Sequence, residues 1–109
     1  MFARGLTPPY YAVIFTSQKN SNEHDYAATA TRMGELAATM PGYLGIESAR
    51  NPEGFGITVS YWKDEESIRN WKAHVEHRGA QQRGKQEWYE HYETRIARVD
   101  RAYPGPDGR

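Results

Sequence analysis

A predicted β-hairpin in the middle of the chain constrains the fold more than any other feature of the sequence. Residues 43–50 and 55–62 are two segments of strand length, and Asn51-Pro52-Glu53-Gly54 separates them. Proline and glycine in such a short connection are typical of a hairpin loop. The sequence therefore predicts two neighbouring antiparallel strands, and any fold proposed for the chain has to contain them.

The second strand of this hairpin has two distinct faces. One set of alternating residues is apolar, namely Phe55, Ile57, Val59 and Tyr61. The residues between them are Gly56, Thr58, Ser60 and Trp62. Since successive side chains of a strand point to opposite sides of the sheet, we expect the apolar set to face the helices. The other set is then expected to lie on the side that no helix covers.

A strand and a helix are predicted before the hairpin. Residues 10–16 are rich in β-branched and aromatic side chains, which favour a strand. Ser21 or Asn22 can cap a helix of about 18 residues, whose apolar side chains recur at three- and four-residue steps. Pro41-Gly42 is expected to end this helix.

The segment after the hairpin is predicted to form a short helix, a kink and a longer helix. Asp64 is expected to cap the first part, and Trp71 lies on its apolar side. The helical spacing weakens between residues 74 and 79 and then resumes through Ala80, Gly84, Trp88 and Tyr92. Residues 94–103 are expected to form the last strand.

These elements follow the order strand, helix, strand, strand, helix, strand. This βαββαβ order is the split βαβ arrangement of ferredoxin-like α+β folds, with a four-stranded antiparallel sheet. Residues 10–103 are expected to form the one domain, residues 1–9 an extended lead-in, and residues 104–109 a disordered tail. Both helices would cover one side of the sheet. The bare side, expected to carry Thr58, Ser60 and Trp62, would need a ligand or a second copy of the sheet to cover it.

Composition argues against several kinds of partner. The 14 basic and 14 acidic residues cancel, so nucleic acid and an acidic membrane surface are not expected partners. Without cysteine, the 109-residue chain forms no disulfide and no thiolate metal site. The longest apolar run, residues 12–15, is far shorter than the ~20 residues of a membrane span. No apolar signal segment follows Met1, and a cytoplasmic protein is expected.

The segment from Trp71 to Tyr103 contains a recognisable succession of residues. In order they are Trp71, His74-Val75-Glu76-His77-Arg78, Ala80-Gln81, Gly84, Trp88-Tyr89, Tyr92 and Asp100-Arg101-Ala102-Tyr103. This succession resembles the antibiotic biosynthesis monooxygenase (ABM) family, and the resemblance covers roughly residues 10–103. It implies a homodimer in which two sheets face each other and form a dimeric α/β barrel.

The same resemblance implies a cofactor-independent monooxygenase that acts on a small, electron-rich aromatic or polycyclic substrate in a cavity between helices and sheet. Such a site must exclude water, hold the substrate and accept a proton. His74 is the candidate proton acceptor, and Trp71 and Trp62 are the candidate cavity walls. No cofactor and no metal are expected. The alternative is a dimeric small-molecule-binding or accessory protein without turnover.

The candidate residues also have structural interpretations. Trp71 lies on the apolar side of its helix with Ile68, as a core tryptophan would. His74 and His77 are three residues apart, and they are either structural or surface histidines, an acid/base, or metal ligands. A metal site usually needs three or more converging ligands, and no third one is adjacent in the sequence.

Haem degradation, the activity of another branch of the family, is a third and less favoured interpretation. The resemblance to that branch implies a tryptophan, an asparagine on the first strand, and an iron-binding histidine about three helical turns beyond the tryptophan. Trp71 fits, but the histidine position falls on or near Gln81, and residues 10–16 contain no asparagine. The sequence therefore argues against haem as a substrate.

Overall fold

A computed structural model of the chain describes residues 1–78 and 88–106, and of residues 76–78 only the backbone. Its elements are β1 (Tyr10–Lys19), α1 (Tyr26–Ala37), β2 (Tyr43–Arg50), β3 (Phe55–Trp62), α2 (Glu65–Arg78) and β4 (Tyr89–Val99). The strands form one antiparallel sheet in the order β2-β3-β1-β4. The predicted βαββαβ order and the ferredoxin-like α+β fold are confirmed.

Trp62 shows which side of the sheet the helices cover. It is fully buried and packs with Ala37 of α1 and Ile68 of α2. The face of the sheet that carries Trp62, called the helix face here, therefore also carries Gly56, Thr58 and Ser60. Our assignment of the two faces of β3 was wrong, because the indole of Trp62 fixes the orientation of the strand. The opposite side, called the outer face, carries Phe55 and Ile57 with 48% and 42% of their surface exposed.

The last strand begins earlier than predicted. Tyr89–Val99 pairs with the whole length of β1, whereas we expected a strand at 94–103 and a helix that reached Tyr92. The pairing of residues 89–93 with the end of β1, which extends to Lys19, outweighs their helical spacing. The predicted helical continuation through Ala80 and Gly84 lies outside the described residues.

Helix α1 begins later than predicted, at Tyr26. The amide of Asn22 donates to Oδ1 of Asn20, and the amide of His24 donates to Oδ1 of Asn22, so these residues form turns instead of a helical cap. The buried Lys19 fixes this loop, because its Nζ donates to the carbonyl oxygens of Asn20 and Asn22 at 3.0 and 2.8 Å. These hydrogen bonds between side chains and backbone amides take the place of the first helical turn that we predicted.

The N-terminal segment folds back over the β2 end of the outer face. The amide of Ala3 donates to Oε2 of Glu47 at 3.0 Å, and Ala3 lies directly over Gly45, where a Cβ would come within 2.9 Å of it. Glu47 also accepts a 2.6 Å hydrogen bond from the hydroxyl of Tyr61. Burial, followed by this hydrogen bond, raises the pKa of Tyr61 to about 12. The hydrogen bonds from Tyr61 and then Ala3 lower the pKa of Glu47.

Candidate functional site

Helix α1 and the middle of the helix face of the sheet are both incompletely buried. Of the residues of α1, all of which are described, only Ala37 at its C-terminal end is buried. The middle of the helix therefore does not pack tightly onto the strands. On the helix face of the sheet, four half-buried side chains mark the region that we call the helix-side cleft: Val13, Phe15, Thr58 and Ser60.

Three aromatic rings stack at one end of the helix-side cleft. Trp62 and Trp71 have ring centroids 5.9 Å apart, and Trp71 and His74 have centroids 6.2 Å apart, with interplanar angles of 26° and 24°. Trp71 and His74 share one side of α2 because they are three residues apart. The indole Nε1 of Trp62 donates to Ser60 Oγ at 2.9 Å, which ties the stack to the helix-side cleft. His74, which is half-buried, is the third ring of the stack and lies furthest from the buried Trp62.

The structure thus brings the three candidate residues together, although their roles stay predictions. Trp62 has no exposed surface and forms the base of the stack within the core. Trp71 packs on this core and remains half-buried, so it is the tryptophan that a ligand in the cleft would contact first. The side chain of His77 and the whole of Gln81 lie outside the described residues.

The other end of the cleft is formed by an aromatic cluster that sequence reasoning missed. Tyr89 packs edge-on against Phe15 and Tyr26, with centroid distances of 5.4 and 6.1 Å. Tyr92 lies 5.5 Å from Phe15, and Trp88 lies 5.5 Å from Tyr26. Placing residues 89–93 in a strand would have put Tyr92 in register with β1 and revealed part of this cluster.

The outer face has a shallow depression at the hairpin end of the sheet. Its volume is about 150 Å³, and its lining includes Phe55, His91, Glu93 and Arg95. Glu93 lies between the other two side chains, at 3.3 Å from His91 Nε2 and 3.0 Å from Arg95 Nη2. The side chains of these two contacts are more than half exposed, so the contacts contribute little to stability.

Neither a metal site nor a membrane span is found in the part of the chain that the structure describes. No three side chains of histidine, aspartate or glutamate in residues 1–75 and 88–106 come close enough together to hold a metal ion. No described helix is long and apolar enough to cross a bilayer.

Known proteins are similar to this chain in sequence and in fold. Residues 9–83 match the family described as antibiotic biosynthesis monooxygenase. The chain is 53% identical over 94 residues to the uncharacterized protein YqjZ of Bacillus subtilis. The aligned residues make up 86% of this chain and 82% of YqjZ. It is 29% identical over 93 residues to the jasmonate monooxygenase ABM of Pyricularia oryzae, covering 82% of this chain but only 43% of that longer protein.

Among solved structures, a variant of SnoaB superposes with a TM-score of 0.76 at 11% identity, covering 90% of this chain and 100% of that one. SnoaB is a cofactor-independent oxygenase from Streptomyces nogalater, and at this identity the likeness shows the fold alone. The family match spans well over half of the chain, and YqjZ is similar over most of its length. The chain therefore belongs to the antibiotic biosynthesis monooxygenase family.

Proposed function

We propose that the protein is a cofactor-independent monooxygenase that oxidises a planar, electron-rich aromatic substrate in the helix-side cleft. The observation that carries this proposal is the stack of Trp62, Trp71 and His74, which places a half-buried imidazole against an aromatic surface. An aromatic ligand that extends this surface would lie beside the imidazole. His74 would then be the proton acceptor and Trp71 the principal wall of the site.

The chemistry asks little of the protein when the substrate itself donates electrons to oxygen. For anthrone, one CH₂ group and one O₂ give the quinone carbonyl and one water, and the first step is removal of a proton from the CH₂ carbon. A positioned base accelerates such a step by about 10²–10⁴. The surrounding rings exclude water from the reactive anion. The family match and the name of one relative, jasmonate monooxygenase, support an oxygenase.

The proposal includes a homodimer in the cytoplasm. The motive for the dimer is the outer face, where Phe55 and Ile57 are 48% and 42% exposed beside strands β1 and β2. A second copy of the sheet would cover these side chains, and a stable pair should bury more than ~1,200 Å² in total. The cytoplasmic location rests on the sequence expectations alone.

Oxygen consumption with anthrone tests the proposed activity. The wild-type protein should consume one O₂ for each anthraquinone formed, faster than the spontaneous oxidation measured with heat-denatured protein. His74→Gln should lower the rate by about 10²–10⁴, the usual contribution of a positioned base. His24→Gln is the matched control, because the His24 side chain is 82% exposed and lies in the loop before α1.

The results distinguish the two candidate functions. If the wild-type protein binds anthrone but consumes no oxygen above the control, the protein is a small-molecule-binding or accessory protein. If turnover is present and equal in wild type and His74→Gln, the monooxygenase assignment stands and His74 is not its base.

A further inference from the structure

Arg50 crosses the helix face at the hairpin end of the sheet. Its partner on β3 is Gly56, whose own partner on β1 is Ser17. The guanidinium reaches over Gly56, and its Nη2 donates to Ser17 Oγ at 2.8 Å. Its Nη1 donates to the carbonyl oxygens of Ser17 and Gly54. A Cβ at position 56 would lie 2.7 Å from the guanidinium carbon, so glycine leaves the room that Arg50 occupies.

Arg50 shares the ring of Tyr26 with a second cation, Lys19, whose Nζ lies 4.7 Å from the ring centroid and 2.9 Å from Glu23 Oε1. The guanidinium carbon lies 5.9 Å from the ring centroid of Tyr26 and 5.7 Å from that of Tyr89. The described ion pairs and hydrogen bonds of the chain give Arg50 carbonyl and hydroxyl acceptors but no carboxylate. A guanidinium recognises a carboxylate through several N–H groups at once. This cation therefore retains the capacity to bind an anion.

The two tyrosines add hydroxyl groups beside the cation. The hydroxyl of Tyr89 lies 3.4 Å from that of Tyr26, and the ring of Tyr89 packs on Phe15 of the helix-side cleft. Burial, followed by the hydrogen bond with Tyr26, raises the pKa of Tyr89, so its hydroxyl keeps its proton at neutral pH. Both tyrosines are half-buried, which leaves part of each side chain accessible to a ligand.

We propose that Arg50, with the hydroxyls of Tyr26 and Tyr89, binds a carboxylate carried by the aromatic ligand of the helix-side cleft. The inference rests on the proposed function in that it uses the same cleft, and it names the substrate class as an aromatic carboxylic acid. Arg50 bonds to Ser17, which lies six positions along β1 from Tyr11, the partner of Trp62. That is roughly 20 Å along the strand. A ligand of three fused rings with a carboxylate at one end fits within this span, with its rings towards Trp71 and His74.

Fluorescence titration with anthracene-2-carboxylate and with its methyl ester tests the proposal. The two probes have the same ring system, and only the acid carries a charge at neutral pH. Wild-type protein should bind the acid at least about tenfold more tightly, as expected for charge-assisted hydrogen bonds. Arg50→Gln should remove this preference, and Tyr89→Phe should reduce it severalfold while ester binding stays the same. Arg32→Gln, on the exposed side of α1, should leave both affinities unchanged.

Equal affinities of wild-type protein for acid and ester, or no binding of either probe, would overturn the proposal. So would an acid preference that survives in Arg50→Gln. Arg50 also holds the hairpin to β1, so that variant is examined first by circular dichroism. If it does not fold, Tyr89→Phe decides, and an unchanged preference in that variant counts against the site.

Binding and turnover fail independently in these experiments. An acid preference without any oxygen consumption refutes the oxygenase and leaves the carboxylate site standing. Turnover of anthrone without an acid preference refutes the carboxylate site and leaves the oxygenase standing.

Discussion

Replacing Trp71 by alanine separates its two interpretations, as a core residue and as a wall of the cleft. A tryptophan side chain buries about 200 Å² when fully enclosed, worth about 5 kcal/mol at ~25 cal/mol per Å². Trp62 is fully buried, so Trp62→Ala should cost about 3–5 kcal/mol. Trp71 keeps part of its surface exposed, and the same arithmetic gives about 3–4 kcal/mol for Trp71→Ala, less than for a fully enclosed tryptophan.

Urea denaturation followed by far-UV circular dichroism measures this difference. With a slope of roughly 1.5 kcal/mol per molar urea, Trp71→Ala should lower the midpoint by roughly 2–2.5 M. A domain of this size has about 5–15 kcal/mol of stability, so the variant should still fold. Binding of anthracene-2-carboxylate, measured on the folded variant, should weaken by more than about tenfold because the stacking surface is lost.

Ile68→Ala is the matched control for this prediction. Ile68 is buried on the same helix and belongs to the same core, but it does not belong to the stack. Its replacement should cost about 2–5 kcal/mol and leave ligand binding unchanged in the folded protein. Trp71→Ala could instead be as destabilising as Trp62→Ala and bind the probe as tightly as the wild-type protein. In that case Trp71 is only a core residue, and the ligand site beside Trp71 and His74 is refuted.

Three further predictions follow from the packing and the charges. Gly42 has φ +85°, and a Cβ there would lie 2.0 Å from Ser67 Oγ, so Gly42→Ala should cost about 2 kcal/mol in thermal unfolding. Gly34→Ala, with open space around it in α1, should instead gain about 0.5–1 kcal/mol. Because the pKa of Tyr61 is raised from 10.0 to about 12, its contribution to stability is complete below pH 10 and is lost between pH 10 and 12. Over that pH range the melting temperature of Tyr61→Phe should therefore fall by less than that of the wild-type protein. An equal fall in both proteins would contradict the raised pKa of Tyr61. Ile57→Lys should convert a dimer into a monomer by light scattering, whereas Ala28→Lys on exposed α1 should not, and a monomeric wild type would refute the dimer.

Local chemistry was sufficient to predict the order of the elements. The hairpin strands have the predicted limits, Tyr43–Arg50 and Phe55–Trp62, because proline and glycine in the loop fix them. Asp64 caps α2 as expected, since its Oδ1 accepts from the amide of Ser67 at 2.8 Å. These features depend on residues that are close together in the sequence.

The ends of helices and strands that depend on contacts between distant parts of the chain could not be predicted in the same way. The start of β4 at Tyr89 depends on strand β1, which pairs with it from a distance of about seventy residues in the chain. The late start of α1 depends on Lys19, which holds the loop before it. Neither the spacing of apolar residues nor the capping residues contain this information.

The second end of the cleft was missed for a related reason. Arg50, Tyr26 and Tyr89 come from β2, α1 and β4, and they meet only because the sheet order places the hairpin beside β1. No fixed spacing connects them, unlike Trp71 and His74, which one turn of helix brings together. Gly56 contributes by lacking a side chain, which no sequence motif records.

The wrong assignment of the faces of β3 has a physical cause that bears on function. A row of Gly56, Thr58 and Ser60 normally faces water, and the apolar row beside it normally faces a core. Here the small, polar row lies under α1, where Val13 and Phe15 are also only half-buried. The hydroxyls of Thr58 and Ser60 are hydrogen-bonded, to Ser48 Oγ at 2.7 Å and to Trp62 Nε1 at 2.9 Å, so this polar row is tolerated on the side that the helices cover. The apolar row is then directed outwards, where a second sheet would cover it. Residues that depart from the usual composition of a core, as the polar row does, are expected at a site that must hold a ligand.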